Sequence, residues 1–359
     1  MAIKFLDLAA QDREISARVA QEFAAIHAST SYVGGPAVAA FEQEFARYLG
    51  VANVVGVSSG TDALRLALLA LGIGPGDGVI TVPMTFIATA AAIVQTGAIP
   101  EFVDVDPLTC NLNPDALLRY LEAGRFRSPN GPRGVVPVDL YGLPCAIDRI
   151  VAIARRFGML VVEDACQAHG AAMLTESGWA KAGTLADAGC FSFYPGKNLG
   201  AWGEGGAVAT NDDRAAALLA RLRDHGRISH YSHDIYGYNA RLDTMQAAVL
   251  RAKLEHLDVW NQRRRAIAAY YRELLSKSGA QIPAEPEGFV SSCHLFTIRS
   301  ARREAIRAAL NAADIGNGIH YPLRSICNRP ARGSATIPEI FRSASTSRRL
   351  PCRCPCIRI

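Results

Sequence analysis

Between Val51 and Thr210, short β-branched apolar runs alternate with helix-length stretches whose apolar residues recur every three or four positions. That alternation is the mark of a mainly parallel sheet covered on both faces by helices, an α/β fold. It predicts strands over 53–57, 78–82, 101–103, 134–138, 159–163, 189–193 and 206–210, with helices over 61–71, 86–95, 114–121 and 146–157. A longer helical pattern over 242–275 lines up Leu250, Leu254, Leu257 and Trp260 on one face. It leads into a smaller α+β unit, with a strand over 293–298, a helix over 302–313 and a strand over 318–321. The expected organisation is a large unit over 1–240, a linking helix and small C-terminal unit over 241–323, and a separate tail over 324–359.

Composition narrows the class. Half of the 359 residues are apolar, enough for a full core. The net charge of +5 is uneven: the tail holds 8 Arg against one acid, leaving 30 basic and 32 acidic residues in the remainder. A near-neutral body gives no footing for nucleic acid. The first residues contain Lys4, Asp7 and Asp12 rather than a signal-peptide core, and no apolar run is long enough to span a bilayer. A cytoplasmic protein with no membrane partner is expected. Cys110, Cys145, Cys166, Cys190 and Cys293 are scattered singly, as reduced, packed thiols are.

Three segments carry chemistry. In Phe191-Ser192-Phe193-Tyr194-Pro195-Gly196-Lys197-Asn198-Leu199-Gly200 a lysine follows an apolar strand, in a Pro/Gly turn walled by aromatics. Desolvation there would favour the neutral, nucleophilic amine that Schiff-base chemistry needs, whereas a lone lysine more often snorkels to the surface. Leu160-Val161-Val162-Glu163-Asp164-Ala165-Cys166-Gln167 puts Asp164 at the carboxyl end of a buried strand, where open α/β sheets bind ligands. Such an acid can pair with a protonated ring nitrogen or simply cap the next turn. Ser58-Ser59-Gly60-Thr61-Asp62 is a strand-to-helix turn whose free N–H groups could cradle phosphate or serve only as an N-cap.

In this order and spacing the three segments resemble the DegT/DnrJ/EryC1/StrS family of sugar aminotransferases, which use pyridoxal phosphate (PLP). The resemblance extends over Ile3 to Leu323, through Gly34-Gly35-Pro36, Thr85-Phe86-Ile87-Ala88-Thr89-Ala90, Leu140-Tyr141-Gly142, Gly237-Tyr238-Asn239 and Ile319-His320-Tyr321-Pro322. It implies a fold-type-I PLP transferase in which Lys197 is the Schiff-base lysine and proton shuttle, and Asp164 holds the ring nitrogen protonated. Phe86 would stack on the ring, Gln167 would sit by its substituents, and Gly60, Thr61 and Ser192 would bind the phosphate. Asn239 would reach the cofactor of the neighbouring subunit in a homodimer with shared active sites, and His320 and Tyr321 would line the sugar pocket. The implied reaction moves an amino group, usually from glutamate, to a nucleotide-linked keto-deoxy sugar. The form of the Lys197 segment favours the 3-keto over the 4-keto branch, and a lysine rather than histidine there opposes the dehydratase branch.

Gly72, Gly74 and Gly76 follow a helix and precede a strand, the reverse of a dinucleotide-binding loop. His225, His230 and His233 lack a carboxylate or cysteine at ligand spacing, so no metal is expected.

After Leu323 the composition shifts abruptly to Arg, Cys and Ser. Permitted codons, read as the third base of each with the first two of the next, let Ser325 to Pro330 spell the family's His-Leu-Gln-Pro-Ala, and Pro338 to Ser343 spell Gly-Asp-Phe-Pro-Val. The expectation is that a single-base deletion near Leu323 puts residues 324–359 out of frame. The product could then be a PLP-binding but catalytically impaired pseudoenzyme. A genuine basic tail, or a metal site on Cys352, Cys354 and Cys356, is the alternative, though single-residue spacing suits neither zinc nor iron–sulfur ligation. Sequencing the gene decides: an intact frame with no shifted family ending beneath it refutes the deletion.

Overall fold

The structure is a computed structural model that describes residues 2–322 and the backbone of 356–358. Two helices precede the sheet, α1 (Leu8–Ser29) and α2 (Pro36–Leu49). The alternating part then runs β1 (Asn53–Val57), α3 (Gly60–Ala70), β2 (Gly78–Thr81), α4 (Ile87–Gln95), β3 (Ile99–Phe102), α5 (Pro114–Ala123), β4 (Pro132–Val135), α6 (Ile147–Arg156) and β5 (Leu160–Asp164). A hairpin follows, β6 (Ala172–Thr175) and β7 (Gly178–Lys181), and then β8 (Ala188–Ser192), β9 (Gly206–Thr210) and α7 (Asp213–Leu222).

Seven strands form the central sheet in the order β1-β9-β8-β5-β4-β2-β3. Only β9 runs against its neighbours. The mainly parallel α/β sheet read from the sequence is therefore present. Its strands are mostly buried because helices cover both faces. Leu64, Leu68, Ile93 and Leu219 from α3, α4 and α7 fill one side. Phe41, Phe45 and Leu250 fill another cluster, and Leu117 and Ile150 a third under α5 and α6.

After a short exposed hairpin, β10 (Arg227–Ser229) and β11 (Ser232–His233), comes a correction. The pattern over 242–275 is two helices, α8 (Thr244–Leu254) and α9 (Leu257–Leu275). Ala247, Ala248, Val249, Leu250, Ala252 and Lys253 are buried around the whole of α8, which packs between α1 and α2. By contrast α9 leaves Val259, Ile267, Tyr270 and Leu274 exposed. One straight axis cannot serve both packings, so the chain turns at Glu255–His256.

Beyond β12 (Phe289–Val290), which pairs with β6, the expected strand over 293–298 shrinks to β13 (Thr297–Arg299). The residues before it bond to a loop instead: Ser292 N–H donates to Gly142 O (2.9 Å) and Leu295 N–H to Tyr141 O (3.2 Å). The predicted helix forms as α10 (Arg303–Ala312), and the backbone of β14 (Cys356–Arg358) pairs with β13. No strand forms over 318–321. The chain just before it is tied to the N-terminal segment, with Gly316 N–H donating to Ile3 O at 2.8 Å. Apart from β14's backbone, the tail and the readings made of it lie outside the described residues.

Candidate functional site

Strands β1, β5 and β8 run in one direction, so their carboxyl ends share one edge of the sheet. That edge gathers the Ser58–Thr61 turn, Asp164 and the Lys197 loop around one cavity of ≈ 700 Å³. The loop closes tightly on itself. Lys197 N–H donates to Tyr194 O (2.9 Å), Ala201 N–H to Phe193 O (2.8 Å) and Phe193 N–H to Gly205 O (2.7 Å). A Cβ on Gly200 would stand 2.4 Å from Pro195 O, which explains the glycine there.

Asp164 is nearly buried, and both its oxygens are held. Thr89 Oγ1 donates to Oδ2 at 2.8 Å, and Cys166 N–H to Oδ1 at 3.3 Å. Thr85 in turn contacts Thr89 at 2.9 Å. Gln167 is fixed at both ends of its amide: Tyr141 N–H donates to Oε1 (2.7 Å), while Nε2 donates to Tyr321 Oη (3.0 Å). Beneath the lysine loop, His169 is fully buried between Phe191 and Phe193. Burial first and the charge of Lys197 second push its pKa down to about 3, so the ring stays neutral. Burial, and then Asp164, push the Cys166 thiol up, which keeps it protonated and a poor nucleophile.

Gly60 opens α3 against the end of β8. A Cβ there would sit 2.5 Å from Ser192 Cβ and 3.0 Å from Cys166 Sγ. Only glycine lets the helix start so close to Ser192. Gly206 does the same from β9, where a Cβ would meet Ser59 O at 2.3 Å. Ser59 caps the helix by accepting from Asp62 N–H at 3.1 Å. The result is a helix N-terminus lined by Gly60, Thr61 and Ser192 and open to the cavity, the kind of terminus that can receive an anion. Phe86 and Tyr321 form the far wall, 5.7 Å apart between ring centres, with His320 beside them.

Nine of the ten residues singled out in the sequence therefore line one cavity: Gly60, Thr61, Phe86, Asp164, Gln167, Ser192, Lys197, His320 and Tyr321. Asn239 does not; it is exposed next to Ala240. His225, His230 and His233 lie exposed, and no metal-holding group occurs among the described residues. Sequence reasoning missed Thr89, Tyr141 and His294. Thr85 and Thr89, four apart at a helix start, carried a readable signal; Tyr141 and His294 are brought in only by loops.

The model of the DegT/DnrJ/EryC1/StrS aminotransferase family matches residues 13–346. The chain is 43% identical to a UDP-N-acetyl-3-dehydro-alpha-D-glucosamine 3-aminotransferase of Acidithiobacillus ferrooxidans, over 90% of this chain and 84% of that one. It is 44% identical to a dTDP-3-amino-3,4,6-trideoxy-alpha-D-glucose transaminase of Streptomyces venezuelae, over 94% and 86%. The crystal structure of S. venezuelae DesV in complex with a ketimine intermediate superposes with a TM-score of 0.88 at 39% identity, covering 100% of this chain and 92% of that one.

Proposed function

The chain belongs to the DegT/DnrJ/EryC1/StrS aminotransferase family, and on that premise we propose that it holds PLP on Lys197 and aminates a nucleotide-linked keto-deoxy sugar. The observation that carries this reading is the placement of Lys197 and Asp164 on one ≈ 700 Å³ cavity, with the N-terminus of α3 at the same cavity. Bound there, PLP supplies an electron sink for the carbon that bears the transferred nitrogen. Gly60, Thr61 and Ser192 receive the phosphate. The Asp164 carboxylate, oriented by Thr89, keeps a proton on the ring nitrogen. Phe86 covers a ring face, and Gln167 stands at the ring's edge. Lys197 Nζ takes up the proton released by the amino donor and gives it back. Borohydride reduction of the holoprotein followed by peptide mapping tests the assignment: label on Lys197 supports it, and an unlabelled Lys197 overturns it.

The acceptor we propose is a 3-keto sugar rather than a 4-keto one, and the donor glutamate. Support comes from the 3-amino sugars in the names of the two relatives. Incubating the aminated form with paired 3-keto and 4-keto nucleotide sugars and following return of the PLP absorbance separates the two.

We assign the active form as a homodimer, with Asn239 reaching the neighbour's phosphate cradle. Tyr231 and Tyr236 stand almost fully exposed on the same stretch, as an uncovered interface does. Sedimentation of a stable monomer would refute this. Residues 1–240 are read as the cofactor-binding part and 241–323 as the small unit. The cytoplasmic assignment rests on the free cysteines Cys110, Cys145, Cys166, Cys190 and Cys293. Among the described residues no helix is long and apolar enough to cross a membrane.

The composition break after Leu323 supports a second reading, a PLP-binding but impaired pseudoenzyme. A bound-cofactor spectrum without turnover on any candidate sugar would favour it.

A further inference from the structure

Two acids lie behind the site with no role in the chemistry described above. Asp139 follows the extension of β4, and Glu163 is the residue before Asp164 on β5; neither has any exposed surface. Their carboxyl groups are near enough for a hydrogen bond between them. Two carboxylates are acceptors only, so such a bond requires a proton on one of them. Asp139 Oδ1 accepts from Cys145 N–H at 2.8 Å, whereas Asp139 Oδ2 and both Glu163 oxygens meet no protein donor of good geometry. A proton shared between the acids would satisfy one oxygen of each and remove the cost of burying two charges side by side.

We propose that Asp139 and Glu163 hold one proton between them and that this carboxyl pair is a positioning device, locking the 139–145 loop over the cofactor face. The loop has much to position. Asp139 N–H donates to Asp164 O at 3.1 Å, tying the loop to the strand that presents the ring-nitrogen partner. Two residues on, Tyr141 adopts a left-handed backbone (φ 62°), strained for a non-glycine residue, and orients Gln167 through its N–H. The Tyr141 hydroxyl donates to the carbonyl of His320. The pair thus sets Gln167 and the His320–Tyr321 wall without touching either.

Burial first, and then the adjoining Glu163, push Asp139 well above the usual carboxylate range, while the Cys145 amide and thiol oppose them. Burial also raises Glu163, against the bond from Asp139 and the Gly183 amide. The groups facing the pair are the Cys145 thiol from the loop and the Cys190 thiol from β8. Both thiols are pushed up by burial and neighbouring acids and stay neutral, so neither adds a further negative charge beside the pair. The sign follows from linkage. An acid whose folded pKa is raised contributes stability that is complete below its unfolded value of about 3.9 and is lost as pH rises through the folded value.

The test uses the holoprotein and its Asp139→Asn, Glu163→Gln and Asp139→Ala variants. In Asp139→Asn the amide oxygen still accepts from Cys145 while its N–H₂ replaces the shared proton; Glu163→Gln does the same from the other side. Infrared spectra of wild type should contain one protonated-carboxyl band that both amide variants lose. Urea unfolding between pH 5 and 8 should release roughly one proton more from wild type than from Asp139→Asn. Asp139→Asn should retain bound cofactor through desalting, and Asp139→Ala should lose it. If the band survives in both amide variants, or the pH slopes of wild type and Asp139→Asn coincide, the shared proton does not exist. If Asp139→Ala folds and keeps its cofactor as wild type does, the pair is not a lock. None of these readouts depends on which sugar is aminated, so their failure is separable from that of the proposed function.

Discussion

The two walls of the cavity are built differently. The side proposed to hold the cofactor grows from the ends of β1, β5 and β8, whose residues Val57, Val162, Cys190 and Phe191 are essentially fully buried. Asp164 there is held by two donors, Thr89 Oγ1 and Cys166 N–H. Apart from Phe86, the opposite wall comes from residues 289–322, where β12 and β13 are two and three residues long and α10 buries no side chain completely. His320 and Tyr321 are only half-buried and bond across to Tyr141 and Gln167. Precision at the reacting atoms needs a rigid frame. Recognition of one sugar among many can rest on contacts that change one at a time.

That contrast can be broken by experiment. Lys197→Ala should lower amino transfer on the order of 10⁴-fold, measured in single turnovers, with the fold intact by circular dichroism. A small loss would mean that another group moves the proton. Thr89→Val strips Asp164 Oδ2 of its donor and should weaken cofactor binding by about 1.5–3 kcal/mol, read by titration of the apoprotein. An unchanged affinity would make the tether dispensable. Gly60→Ala drives a methyl group into Ser192 and should cost about 1–3 kcal/mol, visible as a lower urea midpoint together with weaker phosphate binding. Full stability there would show that the turn has room to shift. Tyr321→Phe removes one neutral hydrogen bond, worth about 0.5–1.5 kcal/mol. It should raise KM for the sugar while leaving cofactor affinity unchanged. An effect on cofactor as large as that of Thr89→Val would erase the distinction between the walls.

Much of the cofactor wall was legible because each of its parts is local. A buried strand announces itself by an unbroken apolar run, and the residues at its carboxyl end follow within a few positions, as Asp164, the Lys197 loop and the Ser58–Thr61 turn do. Periodicity placed α10 within a residue at each end but merged α8 and α9, because the break answers to packing on α1 and α2 rather than to any helix-stopping residue. It also placed strands over 293–298 and 318–321, where the chain spends its backbone hydrogen bonds on the 140–142 loop and the N-terminal segment instead.

From its sequence alone this protein is determined to be a mainly parallel α/β enzyme with a lysine, an acid and a phosphate-type turn at strand ends, since these depend on neighbours a few residues away. The tertiary structure decided what faces them: Thr89 on Asp164, Tyr141 on Gln167, and Glu163 against Asp139, 24 positions apart. Such pairings depend on which segments the sheet order lays side by side, and local periodicity carries no record of that order.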